Sequence, residues 1–478
     1  MILFCVSCIQ EPVICFSGYS GRRVSGIAES NELCGDQRFN YRPAQFLLNI
    51  LMTGCSCERS SRPIIQNMMM FLKTWPLLLL CSLMFACSST PPLGDPEMPY
   101  PPPSAPRVGD ILHLPTGIFV TEAQMLEAVT DARIVYVGET HDNPASHRLE
   151  LVLLRALAER YPQRVALGVE MLTPEQQPAL DKWIAGELSE KEMLEQTRWY
   201  EIWRMDFDYY KALFQYCREN GIPIIGLNAT REQVQAVASG DLSKLDETQR
   251  AQIPELDMSD PYQQALVKAV YGGHNHGGGD EERFLRVQTL WDETMAANVA
   301  RYLSSPEGRD RRMLVIAGGH HVGYGIGIPR RVFRRLPVSY VLVGNEDLEY
   351  AEGKGDKVMD VTLPKMPMPA YDYIVYTKYE RLPKQQVRLG ILLDQSDKGV
   401  EIKGVFSSSP AARAGLQKGD IIRSIDGEPV SKSFDVIYAV KQKRPGDEVT
   451  LTVEREGKRK EMKVHFGVEQ KAIIREKE

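Results

Sequence analysis

The sequence predicts an α/β fold with a mainly parallel sheet flanked by helices, followed by a small β-rich domain. Three observations carry this. Five short apolar runs, "RIVYVG" (133–138), "RVALGVEM" (164–171), "IPIIGLNA" (222–229), "RMLVIAGG" (312–319) and "VSYVLVG" (338–344), are rich in Val and Ile and bounded by turn residues. Runs of that kind are what strands buried on both faces look like. Longer amphipathic segments lie between them, and strands alternating with helices imply a parallel sheet covered on both sides. Beyond Gln385 the pattern changes to short strands of alternating polarity, as in "EVTLTVER".

The elements follow in order. Residues 1–67 show no periodicity and hold an irregular set of cysteines, and we expect a non-translated or disordered extension, with translation beginning at Met68, Met69 or Met70. "MMMFLKTWPLLLLCSLMFACSS" (68–89) has one positive residue, Lys73, then an apolar stretch from Trp75 to Ala86 that is too short for an ordinary bilayer span. It reads as a secretory signal over 68–87. Its Ala86-Cys87 end resembles a bacterial lipobox, with Cys87 as the lipidation site, although the position three before the cysteine is Met84, with Leu83 one further back. A plain secretory signal or a short anchor is the alternative. Residues 88–107 are proline-rich and read as an extended tether. The lipobox and tether together predict a bacterial cell-envelope location, lipid-anchored, periplasm-facing and at the outer membrane.

In the body, "ASHRLELVLLRALAERY" places Leu149, Leu153 and Leu157 at helical spacing, and "QTLWDETMAANVARYL" is a second such segment. "AYDYIVYT" (Ala370 to Thr377) is expected to be the last strand of a domain covering 108–378. The 478 residues require at least two domains. With 43% apolar and 25% charged residues the chain is of the soluble globular type, and its net charge of −6 excludes nucleic acid as a partner. Of nine cysteines only Cys217 lies beyond Cys87, so no disulfide framework holds the body together, and Cys217 reads as a small core residue.

In parallel sheets ligands bind beyond the carboxyl ends of the strands. Glu139, His141 and His147 follow the first run, in "VYVGETHDNPASH"; Glu170 follows the second, Asn228 the third, and His320 and His321 the fourth. Carboxylates and imidazoles brought to one edge suit a divalent-metal site, with Glu139, His141 and His320 as ligands, or an acid/base pair. "YGGHNHGGGDEERF" adds His274 and His276 in a glycine-rich loop, able to ligate iron or haem or equally to be solvated. Trp203, Arg204 and Tyr209 are read as core, with the lining of a pocket as the alternative.

"VYVGETHDNPASH", "VALGVEML", "GIPIIGLNA", "QTLWDETMA" and "VIAGGHHVGYGIGIPRR" together resemble the ChaN family of haem-binding bacterial lipoproteins, of the superfamily that includes Tiki-type metalloproteases and erythromycin esterases. The resemblance implies haem as cofactor, a homodimer holding two haems, and a tyrosine among the iron ligands, for which Tyr324 is the candidate. It maps the Gly-Glu-x-His element onto Gly138, Glu139 and His141, the later glutamate onto Glu170, and the late histidine onto His320 or His321. In enzymatic relatives these positions are metal ligands or general bases, hence catalytic candidates here.

"VRLGILL", "SPAARAGLQKGDIIRSIDGEPV" and "RPGDEVTLTVEREGKRKEMKVHFG" resemble a PDZ domain over 385–468. Such domains bind peptides by strand addition. Leu389, Gly390, Ile391 and Leu392 match the carboxylate-binding loop, with the groove running to a helix around Phe434 to Val440, and Asp426-Gly427 forming a tight turn. Three functions follow as expectations: an envelope lipoprotein binding haem or iron in haem/iron uptake, with a peptide-binding module; a metal-dependent hydrolase or peptidase; or a PDZ-based scaffold.

Overall fold

The computed structural model describes residues 94–273, 280–351, 361–382 and 387–467. Cys87, His274 and His276 lie outside the described residues. The five apolar runs form β3 (Ile134–Glu139), β4 (Val165–Val169), β5 (Ile224–Gly226), β6 (Arg312–Gly318) and β7 (Tyr340–Tyr350), and the last predicted strand is β8 (Tyr373–Tyr379). Two three-residue strands, β1 (Ile111–His113) and β2 (Ile118–Val120), precede them and are too short to carry a periodic signal. The sheet order is β2-β1-β8-β7-β3-β6-β4-β5, parallel from β8 to β5 and antiparallel at β1 and β2. From β3 the chain moves outward to β4 and β5, then returns through β6 to β7 on the other side of β3. The connections therefore reverse around β3 and β6, the position at which parallel sheets open a crevice.

Both faces of the sheet are buried, and strand alternation decides which residue meets which face. Val135 and Val137 join one core with Leu153 and Leu157 of the Pro144–Arg160 helix and Leu213 and Phe214 of the Lys211–Glu219 helix. Ile134 and Tyr136 join the other, with Met295 and Val299 of the Glu281–Ser304 helix and Val332 of the Ile328–Arg335 helix. Each fully buried aliphatic side chain contributes roughly 1.5–3 kcal/mol, so these two layers fix the sheet. Cys217 lies in the first core, and burial pushes its thiol up, which makes it inert.

Part of the proline-rich run is laid on this domain. The Met366 amide donates to Glu97 Oε1 at 2.7 Å, Met98 packs on the second core, and a Cβ on Gly117 would sit 2.2 Å from the Tyr100 carbonyl oxygen. Gly117, at φ +65, is thus fixed both by its backbone and by the chain lying over it.

The C-terminal domain is an antiparallel sheet of β9 (Ile391–Ser396), β10 (Gly399–Val405), β11 (Ile421–Ile425), β13 (Glu448–Arg455) and β14 (Lys458–His465) in the order β14-β13-β11-β10-β9, with β12 (Glu428–Pro429) pairing to β11. Asp426 and Gly427, both at positive φ, make the predicted tight turn. The predicted helix is Ser433–Lys441, with Val436 and Val440 in the core. Among the described residues no helix is long and apolar enough to cross a membrane.

Candidate functional site

The strand-end residues share an edge of the sheet but not a face. Val137 and Val169 both face the first core, but Glu139 is two residues after Val137 and Glu170 only one after Val169. Alternation therefore sends Glu139 to the first face and Glu170 to the second. Two separate polar groups result.

On the first face Glu139 is buried at the end of β3. Its Oε1 lies 2.6 Å from His141 Nδ1 and accepts from the Tyr210 hydroxyl at 2.8 Å, while Oε2 lies 3.4 Å from His147 Nδ1. His147 Nδ1 is also 3.1 Å from Glu150 Oε2, and its Nε2 is 3.0 Å from the His141 carbonyl oxygen. Glu139, His147 and Glu150 each offer a ligand atom, and the three atoms lie within 4.8 Å of one another. Glu139 Oε2 and Glu150 Oε1 are buried with no hydrogen-bond partner. Burial, then the neighbouring Glu150, pushes the Glu139 carboxyl up to about 7 against the pull of His141 and His147. Burial pushes Glu150 up to about 7 as well, and burial lowers His147. Two buried carboxyls this close hold a proton between them at neutral pH, unless a cation replaces it.

Aromatic rings wall this group. Trp203 meets His141 edge-on at 4.8 Å between centroids, Tyr209 lies 5.6 Å from His147, and Tyr210 lies 4.4 Å from it. Trp203 and Tyr209, read from the sequence as core, are thus packed on the candidate imidazoles. Asn143 caps the helix carrying His147 and Glu150, accepting from Ala145 N at 3.0 Å, and donates to Asp347 Oδ1 at 2.8 Å. That ties the helix start to β7.

On the second face Glu170 Oε2 accepts from the Gly318 amide at 2.7 Å, and its Oε1 is 3.6 Å from His321 Nε2. His321 Nδ1 lies 2.7 Å from Asp292 Oδ1, and Asp292 Oδ2 accepts from Gln263 at 2.8 Å. An imidazole held between two carboxylates is fixed in orientation. His320 packs tilted beside His321 at 4.1 Å and lines a small cavity with Leu266, Val267, Val270 and Phe284 and the polar Gln263, Gln288 and Asp292. Of the three residues expected to ligate a divalent metal, Glu139 lies in the three-ligand cluster, His141 braces it, and His320 lies on the opposite face.

Tyr324 belongs to neither group. It is buried in the second core at φ 59, its amide donating to the Ala370 carbonyl at 2.8 Å, and burial raises its hydroxyl. Asn228, after β5, donates its backbone amide to the Leu172 carbonyl and accepts from the Ala229 amide, a turn role. In the C-terminal domain Leu389 and Gly390 precede β9, which begins with Ile391 and Leu392. Gly390 is at φ +76, and a Cβ there would meet Ser409 at 2.3 Å.

Sequence reasoning passed over Glu150, Tyr210 and Asp292. A signal existed for two of them. Glu150 stands on the apolar stripe of its helix with Leu153 and Leu157, and Asp292 on that of Met295 and Val299. A carboxylate on an apolar stripe is informative, because it must be paired to be buried. Tyr210 gave no such signal, since a tyrosine in register with Leu213 and Cys217 reads as core.

The comparisons with known proteins fall on the same two regions. A family described as haem-binding uptake, Tiki superfamily, ChaN, matches residues 125–332, and the PDZ domain family matches residues 387–466. The chain is 42% identical over 69 residues to a probable periplasmic serine endoprotease DegP-like of Pseudomonas fulva, covering 14% of each chain. It is 22% identical over 259 residues to Protein RETICULATA-RELATED 5, chloroplastic, of Arabidopsis thaliana, covering 49% of this chain and 34% of that one. Both relatives are therefore matched over well under two thirds of their own length. Among solved structures, ChaN of Campylobacter jejuni, described with cofacial haem binding, aligns with a TM-score of 0.42 and 17% identity over 55% of this chain and 95% of that one.

Proposed function

Residues 125–332 form a haem-binding domain of the ChaN family in the Tiki superfamily and residues 387–466 form a PDZ domain, and from that premise we propose that the chain is a haem- or iron-binding protein of the bacterial cell envelope, acting in haem or iron uptake and anchored by lipid at Cys87. The observation that bears on the haem reading on this chain's own residues is His320 lining a small cavity of about 10 Å³, with apolar and polar neighbours, beside the Pro261–Gly273 and Glu281–Ser304 helices, room for no more than a water until those helices part. An imidazole beside aliphatic and aromatic side chains is the donor chemistry that a haem takes. Leu266, Val267, Val270 and Phe284 would hold the group, His320 would offer a nitrogen donor, and Asp292 would keep the adjacent His321 oriented. Bound haem would supply a redox-active iron. His274 and His276 fall in the sequence between these helices and are further candidate donors. The PDZ domain recruits a peptide or a partner protein, and a homodimer is the expected assembly.

Haem titration followed at the Soret band tests this. We expect saturable binding at micromolar haem and, for His320→Ala, affinity weaker by about tenfold, the order of one lost ligand contact. A spectrum that never saturates, or one that His320→Ala and changes at His274 and His276 all leave untouched, counts against the reading.

A second reading, a metal-dependent hydrolase, is favoured by the Glu139–His147–Glu150 cluster. Two buried carboxylate oxygens without partners and a nearby imidazole fit a divalent cation in donor type and spacing. A cation there would supply Lewis-acid chemistry, while Tyr210 and His141 hold Glu139 in place and Trp203 shields His141 from solvent. Metal analysis of the purified protein beside Glu150→Gln, with a peptide and ester panel compared across Glu139→Ala and His141→Ala, tests it. Metal content unchanged in Glu150→Gln together with activity unchanged in Glu139→Ala and His141→Ala would rule this centre out.

A further inference from the structure

The Ser433–Lys441 helix meets two surfaces. Val436 and Val440 face the core of its own domain, while Phe434 and Tyr438 on the opposite side pack against the α/β domain. Phe434 stacks on Tyr200 at 6.3 Å, Lys432 pairs with Glu195, Asp435 with Lys191 at 2.9 Å, and Lys441 with the buried Asp206 at 3.8 Å. All of these partners lie between Lys191 and Asp206.

The far side of that segment touches the Glu139 group. Tyr200 belongs to a one-turn helix, Trp199–Ile202, whose Trp199 packs on Tyr210 at 5.5 Å, and Trp203, next in the chain, packs on His141. Tyr210 then bonds Glu139. The turn is bracketed by two left-handed residues that are not glycine, Arg198 at φ 54 and Arg204 at φ 66. Such backbone holds its shape only where the surroundings impose it.

We propose that the Ser433–Lys441 helix is a clamp which holds the Arg198–Tyr210 segment against the Glu139 group, and that a peptide adding to β9 releases it. β9 is the last strand of its sheet, so its outer edge can accept a further strand, and the helix lies beside it. A peptide entering between them displaces the helix on its weaker side. Its inner side is anchored by apolar core, whereas its outer side is held by ring contacts and by ion pairs in which Lys191 and Lys432 stay half in solvent, and such pairs are individually weak. The peptide arm of this inference rests on the PDZ reading; the clamp arm does not. The coupling is reciprocal, so a ligand that orders the Glu139 group also lowers peptide affinity.

Hydrogen–deuterium exchange on the full chain tests both arms. Phe434→Ala, Glu195→Lys and Lys432→Glu are each expected to speed exchange in 198–210 by about fivefold, the order expected for losing one such contact. The double charge swap Glu195→Lys with Lys432→Glu is expected to restore it, and protection of β3, β6, β11 and β13 should stay constant. Unchanged exchange in all single variants, or a swap that fails to restore protection, overturns the clamp. A decapeptide with a free carboxyl end and an apolar last residue, chosen from a library by its protection of β9, is then added to the wild type. Faster exchange in 198–210 supports release, and slower or unchanged exchange while β9 is protected overturns it.

Discussion

At the scale of single residues, the chemistry of the first group depends on carboxyls that burial holds protonated to unusually high pH. Glu139 and Glu150 both sit at about 7 in the folded chain, against ordinary values near 4.5. The folded state therefore binds more protons than the unfolded state across that window, and stability falls as pH rises from about 4.5 to about 7. His147, lowered by burial, works in the opposite sense, adding stability as pH climbs toward its ordinary 6.5. In chelator, Glu150→Gln is expected to leave stability near wild type at pH 5 and to raise it by about 2 kcal/mol at pH 8, the order set by relieving a buried, closely paired charge. Calorimetric melting at the two pH values checks this. A variant that melts lower than wild type at pH 8 would show that Glu150 is stabilising as a charge.

The next scale is the element. The edge of the sheet is shaped by one ring seated on two adjacent glycines. Gly138 of β3 pairs with Gly344 of β7, and Tyr371 covers both. A Cβ on Gly138 would meet the Tyr371 hydroxyl at 2.5 Å, and one on Gly344 would meet its ring carbons at 2.6–2.7 Å. Overpacking of this kind costs about 1–3 kcal/mol. Gly138→Ala and Gly344→Ala should both destabilise the domain. Tyr371→Phe should relieve most of the first penalty, since the closest atom is the hydroxyl, and little of the second. Denaturant midpoints of the two double-mutant cycles separate these outcomes. The strands themselves were legible as Val- and Ile-rich runs, because burial on both faces leaves no other pattern. β1 and β2 were not, because three residues carry no periodicity.

At the scale of the whole molecule, two domains are joined by a clamp on one side, and the proposed anchor adds a third level of organisation. Cys87→Ser is expected to move the protein from the membrane fraction to the soluble fraction with haem titration unchanged, measured by fractionation of cells expressing the full chain. A variant that stays with the membrane would rule out Cys87 as the anchor. The resemblances now matched over 125–332 and 387–466 were legible because each motif is local and the series is ordered. The docking of Phe434 on Tyr200 was not, because aromatic residues on the two flanks of a helix look alike until both partners are folded.

By itself the sequence showed strands β3 to β8, the Pro144–Arg160 and Glu281–Ser304 helices, a change to a β-rich C-terminal region, and that acids and imidazoles gather where strands end. Those properties depend on residues a few positions apart. Only the tertiary structure decided that Glu139 and Glu170 face opposite sides of the sheet, that Glu150, Tyr210 and Asp292 complete the two groups, and that the Ser433–Lys441 helix bears on the Arg198–Tyr210 segment. The direction of a side chain across a sheet is fixed by the register of each strand against its neighbours and by the path of the crossovers, and neither is written in any local stretch of the chain.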